Sequence, residues 1–365
     1  MRPILILLLA VATVACDRAD AVEYRVETVA EGLEHPWSIA FLPDGRMLVT
    51  ERAGRLRIIE DGRLLEAPVR GVPEAHVRSQ AGLFEVMLDP DYEDNGWIYL
   101  SLAHGTARAN STRVVRARLE GDALRDLEVL FTASPQRNTS VHYGGRMAFL
   151  GDGTLAVGLG DGFNFREDAQ RLDSHTGTIV RINRDGSVPA DNPFVGRAGA
   201  LPEIYSYGHR NVQGLVFDDS TGLLWAHEHG PRGGDEVNLI RPGRNYGWPA
   251  ATFGVDYSGA RITPYSSRPG MEDPRVDWTP SIAPSGMTVY RGAQFPQWQG
   301  DLLVTALVAR EVRRISLDGE QVAGQARILD EVGERLRDVK SGPDGALYVL
   351  TDSPRGRVLR ISAPR

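Results

Sequence analysis

The sequence predicts an all-β fold, a six-bladed β-propeller of four-stranded antiparallel sheets with long inter-strand loops at one end. Three observations carry that prediction. A turn rich in Asp, Gly and Pro, followed by a short apolar strand, recurs six times along the 365 residues. Each copy is followed by a partner strand that alternates apolar and polar residues. Finally, 40 glycines and 22 prolines punctuate the whole chain, as many short turns require.

The six copies are FLPDGRMLVTE from Phe41, LDPDYEDNGWIYLSLA from Leu88, FLGDGTLAVGLGD from Phe149, FDDSTGLLWAHEHG from Phe217, FPQWQGDLLVTALV from Phe295 and SGPDGALYVLTD from Ser341. Their partners read RLRIIEDG, RVVRARLEGD, TIVRINRDG, EVNLIRPG, EVRRISLDG and RVLRI. An Asp-Gly turn tolerates the positive φ of a tight strand connection, and alternation gives each strand a buried face. A small sheet with two apolar faces is stable only when stacked on neighbours, and radial stacking makes a propeller. A β-sandwich is the weaker alternative, because six paired units exceed what it needs. Successive units are about 46 to about 78 residues apart (Phe295 to Ser341, Phe217 to Phe295), so long inserts separate some strands. The largest, around residues 134–143 and 245–284, should reach one end of the central axis, where loops on a rigid scaffold carry chemistry.

The first 15 residues read as a signal peptide: Arg2, an apolar run over residues 4–12, then small residues before Cys16. Cys16, the only cysteine, sits where a bacterial lipoprotein is cut and lipidated, although Thr13 holds a place usually given to leucine. A plain secretory signal is the alternative. A linker over 16–23 and one propeller domain over 24–365 follow, in a periplasmic protein anchored to the membrane only through Cys16. Without further cysteines no disulfide can brace the domain. A net charge of −7 gives no reason to expect nucleic acid as a partner, and a monomer or homodimer handling small molecules is expected.

Conventional cofactor motifs are missing: GLGDG at residues 158–162 lacks the third glycine of a dinucleotide loop, and there is no Walker loop. His227 and His229 offer a zinc pair, or simply structural histidines. What stands out is a series of polar clusters beside Gly and Pro: SQAGL at Gln80, HYGGR at His142, LGDG at Asp161 and GHRNVQG at Arg210 and Asn211. HGPRGGDEVNL at Gly230, Pro231 and Glu236, NYGWP at Tyr246, WTPSIAPSG at Trp278 and RLRD at Arg335 and Arg337 complete it. Singly, each is explained by turns and surface ion pairs.

Together, and in this order from about Glu34 to Arg360, they resemble the soluble glucose and aldose sugar dehydrogenases (the glucose/sorbosone dehydrogenase family), which use pyrroloquinoline quinone (PQQ). The resemblance implies an enzyme oxidising an aldose at C1 to the lactone, with PQQ and Ca²⁺ as cofactors and an external electron acceptor. It makes His142 the general base, a role suited to an imidazole whose pKa lies near operating pH, and Asp161 the acid that orients it. Arg210, Asn211 and Gln80, with His142 itself, match contacts to the cofactor, and Arg210 also stabilises charge during hydride transfer. Arg335 and Arg337, alternating on a strand, are expected to hold carboxylates, with Tyr257 and Trp278 as walls of the slot. The backbone carbonyls of Gly230 and Pro231 match ligands of a Ca²⁺ that grips PQQ, and Glu236 and Tyr246 those of a second, structural calcium. One departure concerns affinity: Val308 stands where relatives carry a lysine, and Arg310 is the nearest cation in sequence. Two rivals remain, a calcium-dependent lactonase and a non-catalytic propeller that binds sugars or proteins.

Overall fold

A computed structural model describes residues 22–364; Cys16 and the segment before it lie outside the described residues. The strands form six four-stranded antiparallel sheets. Blade I comprises Pro36–Phe41, Met47–Glu51, Arg55–Glu60 and Arg63–Leu64, and blade II Leu83–Leu88, Trp97–Gly105, Asn110–Glu120 and Ala123–Thr132. Blade III holds Gly144–Phe149, Leu155–Leu159, Thr178–Ile182 and Ile204–Tyr207, and blade IV Val212–Asp218, Leu223–Glu228, Asp235–Ile240 and Val276–Trp278. Blade V is Pro284–Val289, Leu302–Ala306, Val312–Asp318 and Gln321–Ile328. Blade VI takes Leu336–Ser341, Leu347–Thr351 and Gly356–Ser362, and its outer strand is Arg25–Leu33 from the other end of the chain. That last pairing closes the ring and covers an edge that would otherwise be open.

The six repeated units are the second and third strands of the blades. The second strands Met47–Glu51, Leu155–Leu159, Leu302–Ala306 and Leu347–Thr351 are buried along their whole length, because a neighbouring blade covers each face. The apolar core therefore lies between blades: Leu48, Leu56 and Ile58 of blade I pack with Leu83, Leu100 and Val115 of blade II.

The axis is polar. Arg146, two per cent exposed, lies there on the innermost strand of blade III. Its Nη1 pairs with Glu85 of blade II at 3.1 Å and with Asp338 of blade VI at 2.9 Å, the latter by charge rather than as an aligned hydrogen bond. Nε donates to the Gln213 carbonyl of blade IV (2.9 Å) and Nη2 to that of Ser285 in blade V (2.8 Å). The guanidinium lies 4.0 Å from the ring centroid of Trp37 in blade I. One side chain thus touches every blade. Arg146→Met should lower unfolding stability by about 3–5 kcal/mol, since it leaves two buried carboxylates without their shared partner. Chemical denaturation measures this, and a loss below about 1 kcal/mol, the scale of a surface pair, would contradict the pinning role.

Candidate active site

In each blade the start of the innermost strand and the end of the second strand lie at the same end of the sheet, because the two are antiparallel. The polar clusters occupy those two positions. Gln80 precedes Leu83–Leu88, His142 precedes Gly144–Phe149, Arg210 and Asn211 precede Val212–Asp218, and Arg335 and Arg337 flank the first residue of Leu336–Ser341. Asp161 follows Leu155–Leu159, and Gly230 and Pro231 follow Leu223–Glu228. Motifs scattered over the chain meet around one mouth of the axis.

At its centre His142 Nδ1 lies 2.7 Å from Asp161 Oδ1, and both side chains are buried. Asp161 Oδ1 also accepts the Phe163 backbone N–H (2.7 Å), and its Oδ2 accepts Trp248 Nε1–H (2.9 Å). Burial alone would raise this carboxyl, but the hydrogen bond and charge of His142, with Arg210 and the Phe163 amide, outweigh it and hold it below the ordinary range. An ionised Asp161 requires the proton on Nδ1, which leaves the Nε2 lone pair as the basic one. Burial, opposed by Asp161 and reinforced by Arg210, lowers the imidazole pKa below its usual value. The backbone clamps the pair: Gly162 N donates to His142 O (3.2 Å), and Asp161 N to Arg210 O (2.8 Å). Gly160 has to be glycine, because a Cβ there would stand 2.1 Å from His142 O. His142 itself takes a φ of 54°, rare for a residue with a side chain and typical of functional sites. Gln80 Oε1 accepts the His142 N–H at 2.9 Å, and Asn211 Oδ1 accepts that of Gly144 at 3.2 Å.

Three hollows surround this centre. One of about 290 Å³ is lined by Asp161, Phe163, Arg210, Trp248, Asp256 and Tyr257. Arg210 donates from Nη1 to the carbonyls of His229 (2.9 Å) and Gly230 (2.6 Å) and lies 5.3 Å from the Trp248 ring centroid. A second hollow of about 140 Å³ is lined by Gln80, Asn211, Arg52, Arg335, Arg337 and Asp352. Arg335 and Arg337 both reach Asp352 Oδ2 at 3.2 Å, and His35 Nδ1 lies 3.0 Å from Oδ1. Arg337, His35 and Arg335 hold the Asp352 carboxyl far below its usual range against the burial that would raise it. Three guanidinium groups against one carboxylate make this slot cationic, which suits an anionic ligand. A third, more apolar groove of about 610 Å³ runs past Gly230, Pro231, Val255, Tyr257, Ala283 and Val308, with Val308 61% exposed.

Behind Gly230 lies a hollow of about 10 Å³ lined by Glu228, Gly230, Glu236 and Tyr246. Burial, with the neighbouring Glu228, pushes the Glu236 carboxyl well above its ordinary value. Asn238 Nδ2 bridges the two glutamates at 3.3 and 3.2 Å, while its Oδ1 is buried without a partner. Oxygen donors of like sign around an ion-sized hollow are what a hard cation needs. Among the described residues no three His, Cys, Asp or Glu side chains converge, so carbonyls or waters would complete the shell of any metal there. His227 and His229 are not joined by a third such side chain; His229 Nε2 donates to the Pro284 carbonyl at 2.6 Å, and both ring nitrogens of His227 are buried without a partner.

One expectation needs correction. Trp278 is not a wall of the slot: it ends the outer strand of blade IV, packs with Trp225 and Val237, and donates from Nε1 to Gln325. Trp248, from the NYGWP cluster, takes the place beside Arg210. Arg310, the nearest cation in sequence to Val308, donates from Nη1 to the Gly333 carbonyl at 3.2 Å and does not line the slot. Residues that sequence reasoning missed are Trp248, Phe163, Arg52 and Asp352. Trp248 lay inside one of the polar clusters and Asp352 at the end of the sixth repeat; Phe163 and Arg52 lay in neither.

The glucose/sorbosone dehydrogenase family model matches residues 33–360, nearly all of the described chain. The chain belongs to this family. Aldose sugar dehydrogenase YliI of Escherichia coli is 43% identical over 93% of this chain and 92% of its own length. The crystal structure of the soluble E. coli aldose sugar dehydrogenase in its apo-form superposes with a TM-score of 0.90, at 42% identity, over 94% of this chain and 100% of that one. The PQQ-bound form of an aldose sugar dehydrogenase from Streptomyces coelicolor gives 0.76 at 30% identity, over 93% and 99% of the two chains. The two relatives just named are sugar dehydrogenases on this propeller, and the mouth described above is where this chain gathers its buried His142–Asp161 pair and its cations.

Proposed function

We propose that this protein is a periplasmic quinoprotein that oxidises aldoses at C1 to the lactone, with PQQ and Ca²⁺ bound at the propeller mouth. The observation that carries the reading is the buried His142–Asp161 pair set beside a cationic slot. When bound, PQQ supplies the two-electron acceptor for the hydride that leaves C1. Gln80, Arg210 and Asn211 would hold its quinone side, Arg335 and Arg337 its carboxylates, and Tyr257 a face. His142 Nε2 takes the proton of the C1 hydroxyl, while Asp161 keeps Nδ1 protonated and steadies the imidazolium that forms. Trp248 and the Phe163 amide keep Asp161 ionised and fixed. Arg210, a permanent cation beside this pair, favours the neutral imidazole before reaction.

Calcium fits the acidic hollow behind Gly230, while on the PQQ side the Gly230 carbonyl would share the ion with its Arg210 donor. The Gly230 and Pro231 carbonyls would hold the ion that meets PQQ, and Glu236 with the Tyr246 carbonyl a structural one. The unpartnered Asn238 Oδ1 and the paired buried carboxylates support oxygen ligation of a hard cation. The test is reconstitution. Purified protein given PQQ and calcium should reduce an artificial dye with an aldose, and chelation before PQQ is added should abolish the gain. Hydrolysis of a lactone without PQQ would favour the lactonase instead. Among the described residues no helix is long and apolar enough to cross a membrane. Export and a lipid on Cys16 remain part of the proposal. They are tested by mass spectrometry of the native N-terminus, where an unmodified later start would remove the anchor.

A further inference from the structure

We infer that Arg52 is a cofactor-binding residue that supplies a cation to a PQQ carboxylate. The inference rests on the quinoprotein reading above and adds a residue to it. Arg52 follows the second strand of blade I and lines the same slot as Gln80, Asn211, Arg335 and Arg337. Its place is built in: its N–H donates to the His35 carbonyl (3.1 Å) and its own carbonyl accepts the Leu83 N–H (3.3 Å). Gly82 of the SQAGL cluster permits this approach, since a Cβ there would stand 1.9 Å from Arg52 O and 2.8 Å from its Cγ. The glycine beside Gln80 is thus explained by the arginine that runs against it.

The charges of the slot are unequally committed. Arg335 and Arg337 share Asp352, so part of their charge is already answered within the protein. Arg52 is half-buried, yet among the described residues its guanidinium makes no ion pair and no hydrogen bond. Leaving an arginine uncommitted at the wall of a ligand slot is reasonable only if the ligand answers it. PQQ carries three carboxylates, and Val308, at the rim of the adjoining groove, brings no charge to them. Arg52 is the cation that completes the set from blade I.

The test is titration of PQQ into PQQ-free protein at fixed calcium, followed by quenching of intrinsic fluorescence, for wild type, Arg52→Gln and Arg52→Lys. The PQQ trimethyl ester, which has the ring system without the charges, is titrated in parallel. Arg52→Gln should weaken PQQ binding about tenfold to a hundredfold, the usual worth of a charge-assisted hydrogen bond, and Arg52→Lys should recover part of that. Ester binding should be the same in all three proteins. Unchanged PQQ affinity in Arg52→Gln overturns the inference. Equal loss for PQQ and ester also overturns it, because a merely structural arginine would weaken both. Wild-type protein that binds no PQQ would instead bring down the quinoprotein reading itself.

Discussion

His142→Ala should lower turnover by about a hundredfold to ten-thousandfold, the range for losing a general base, while PQQ binds with little change. The expectation follows from where the imidazole spends its contacts. Nδ1 is committed to Asp161 at 2.7 Å, and Nε2 makes no hydrogen bond among the described residues. Removing the ring therefore takes away a proton acceptor and leaves the slot cations in place. Burial lowers the His142 pKa from the ordinary 6.5, so the neutral, base-competent form persists to lower pH than a free histidine would allow. The acid limb of turnover in wild type should accordingly lie below that value, and His142→Ala should lose the limb altogether. Steady-state dye reduction across pH, with a separate PQQ titration, checks both parts. Near-wild-type turnover in the alanine variant would remove His142 from the mechanism.

Asp161→Asn is expected to be almost as severe, about a hundredfold or more in turnover, for a different reason. The carboxylate accepts three N–H groups, from His142 Nδ1, Trp248 Nε1 and the Phe163 backbone. With its oxygen in the place of Oδ1 an amide satisfies His142 and Phe163 and turns an N–H toward Trp248; flipped, it satisfies Trp248 alone and turns its N–H toward Nδ1 and the Phe163 amide. If that N–H faces Nδ1, the imidazole must carry its proton on Nε2, where it cannot act as a base. The sign of the pH effect also follows. Asp161 opposes the burial that lowers the His142 pKa, so its neutralisation drives that pKa further down and moves the acid limb to lower pH while the plateau falls. A limb that moved upward, or a plateau that stayed high, would show that Asp161 does not govern His142.

How much of this was legible in the sequence depended on which strand a residue occupies. The second and third strands of each blade announced themselves, because an Asp-Gly turn leads into a strand buried on both faces. Innermost strands such as Gly144–Phe149 and Leu336–Ser341 were hidden, since they open in irregular polar motifs and carry axis residues such as Arg146 and Asp338. Outer strands such as Gln321–Ile328 alternate weakly and are half exposed. The site motifs were legible as clusters, but only the family resemblance joined them, because strand order, not spacing, brings His142 to Asp161. WTP at Trp278 and WP at Trp248 look alike as strings; only the fold shows that the first ends an outer strand and the second turns back to Asp161. Arg52 and Asp352 lie at the ends of ordinary second strands, in TER and LTD, with nothing local to mark them. They acquire meaning when ring closure sets blade I beside blade VI.

The most direct test of the central claim is a single-turnover measurement. Protein reconstituted with PQQ and calcium is mixed anaerobically with an aldose and no dye, while the absorbance of the bound quinone is followed and the sugar is analysed. The account predicts that the quinone is reduced on mixing, that lactone appears in step with it, and that His142→Ala slows both while retaining its PQQ. Bound quinone that stays oxidised in the presence of a panel of aldoses would contradict it.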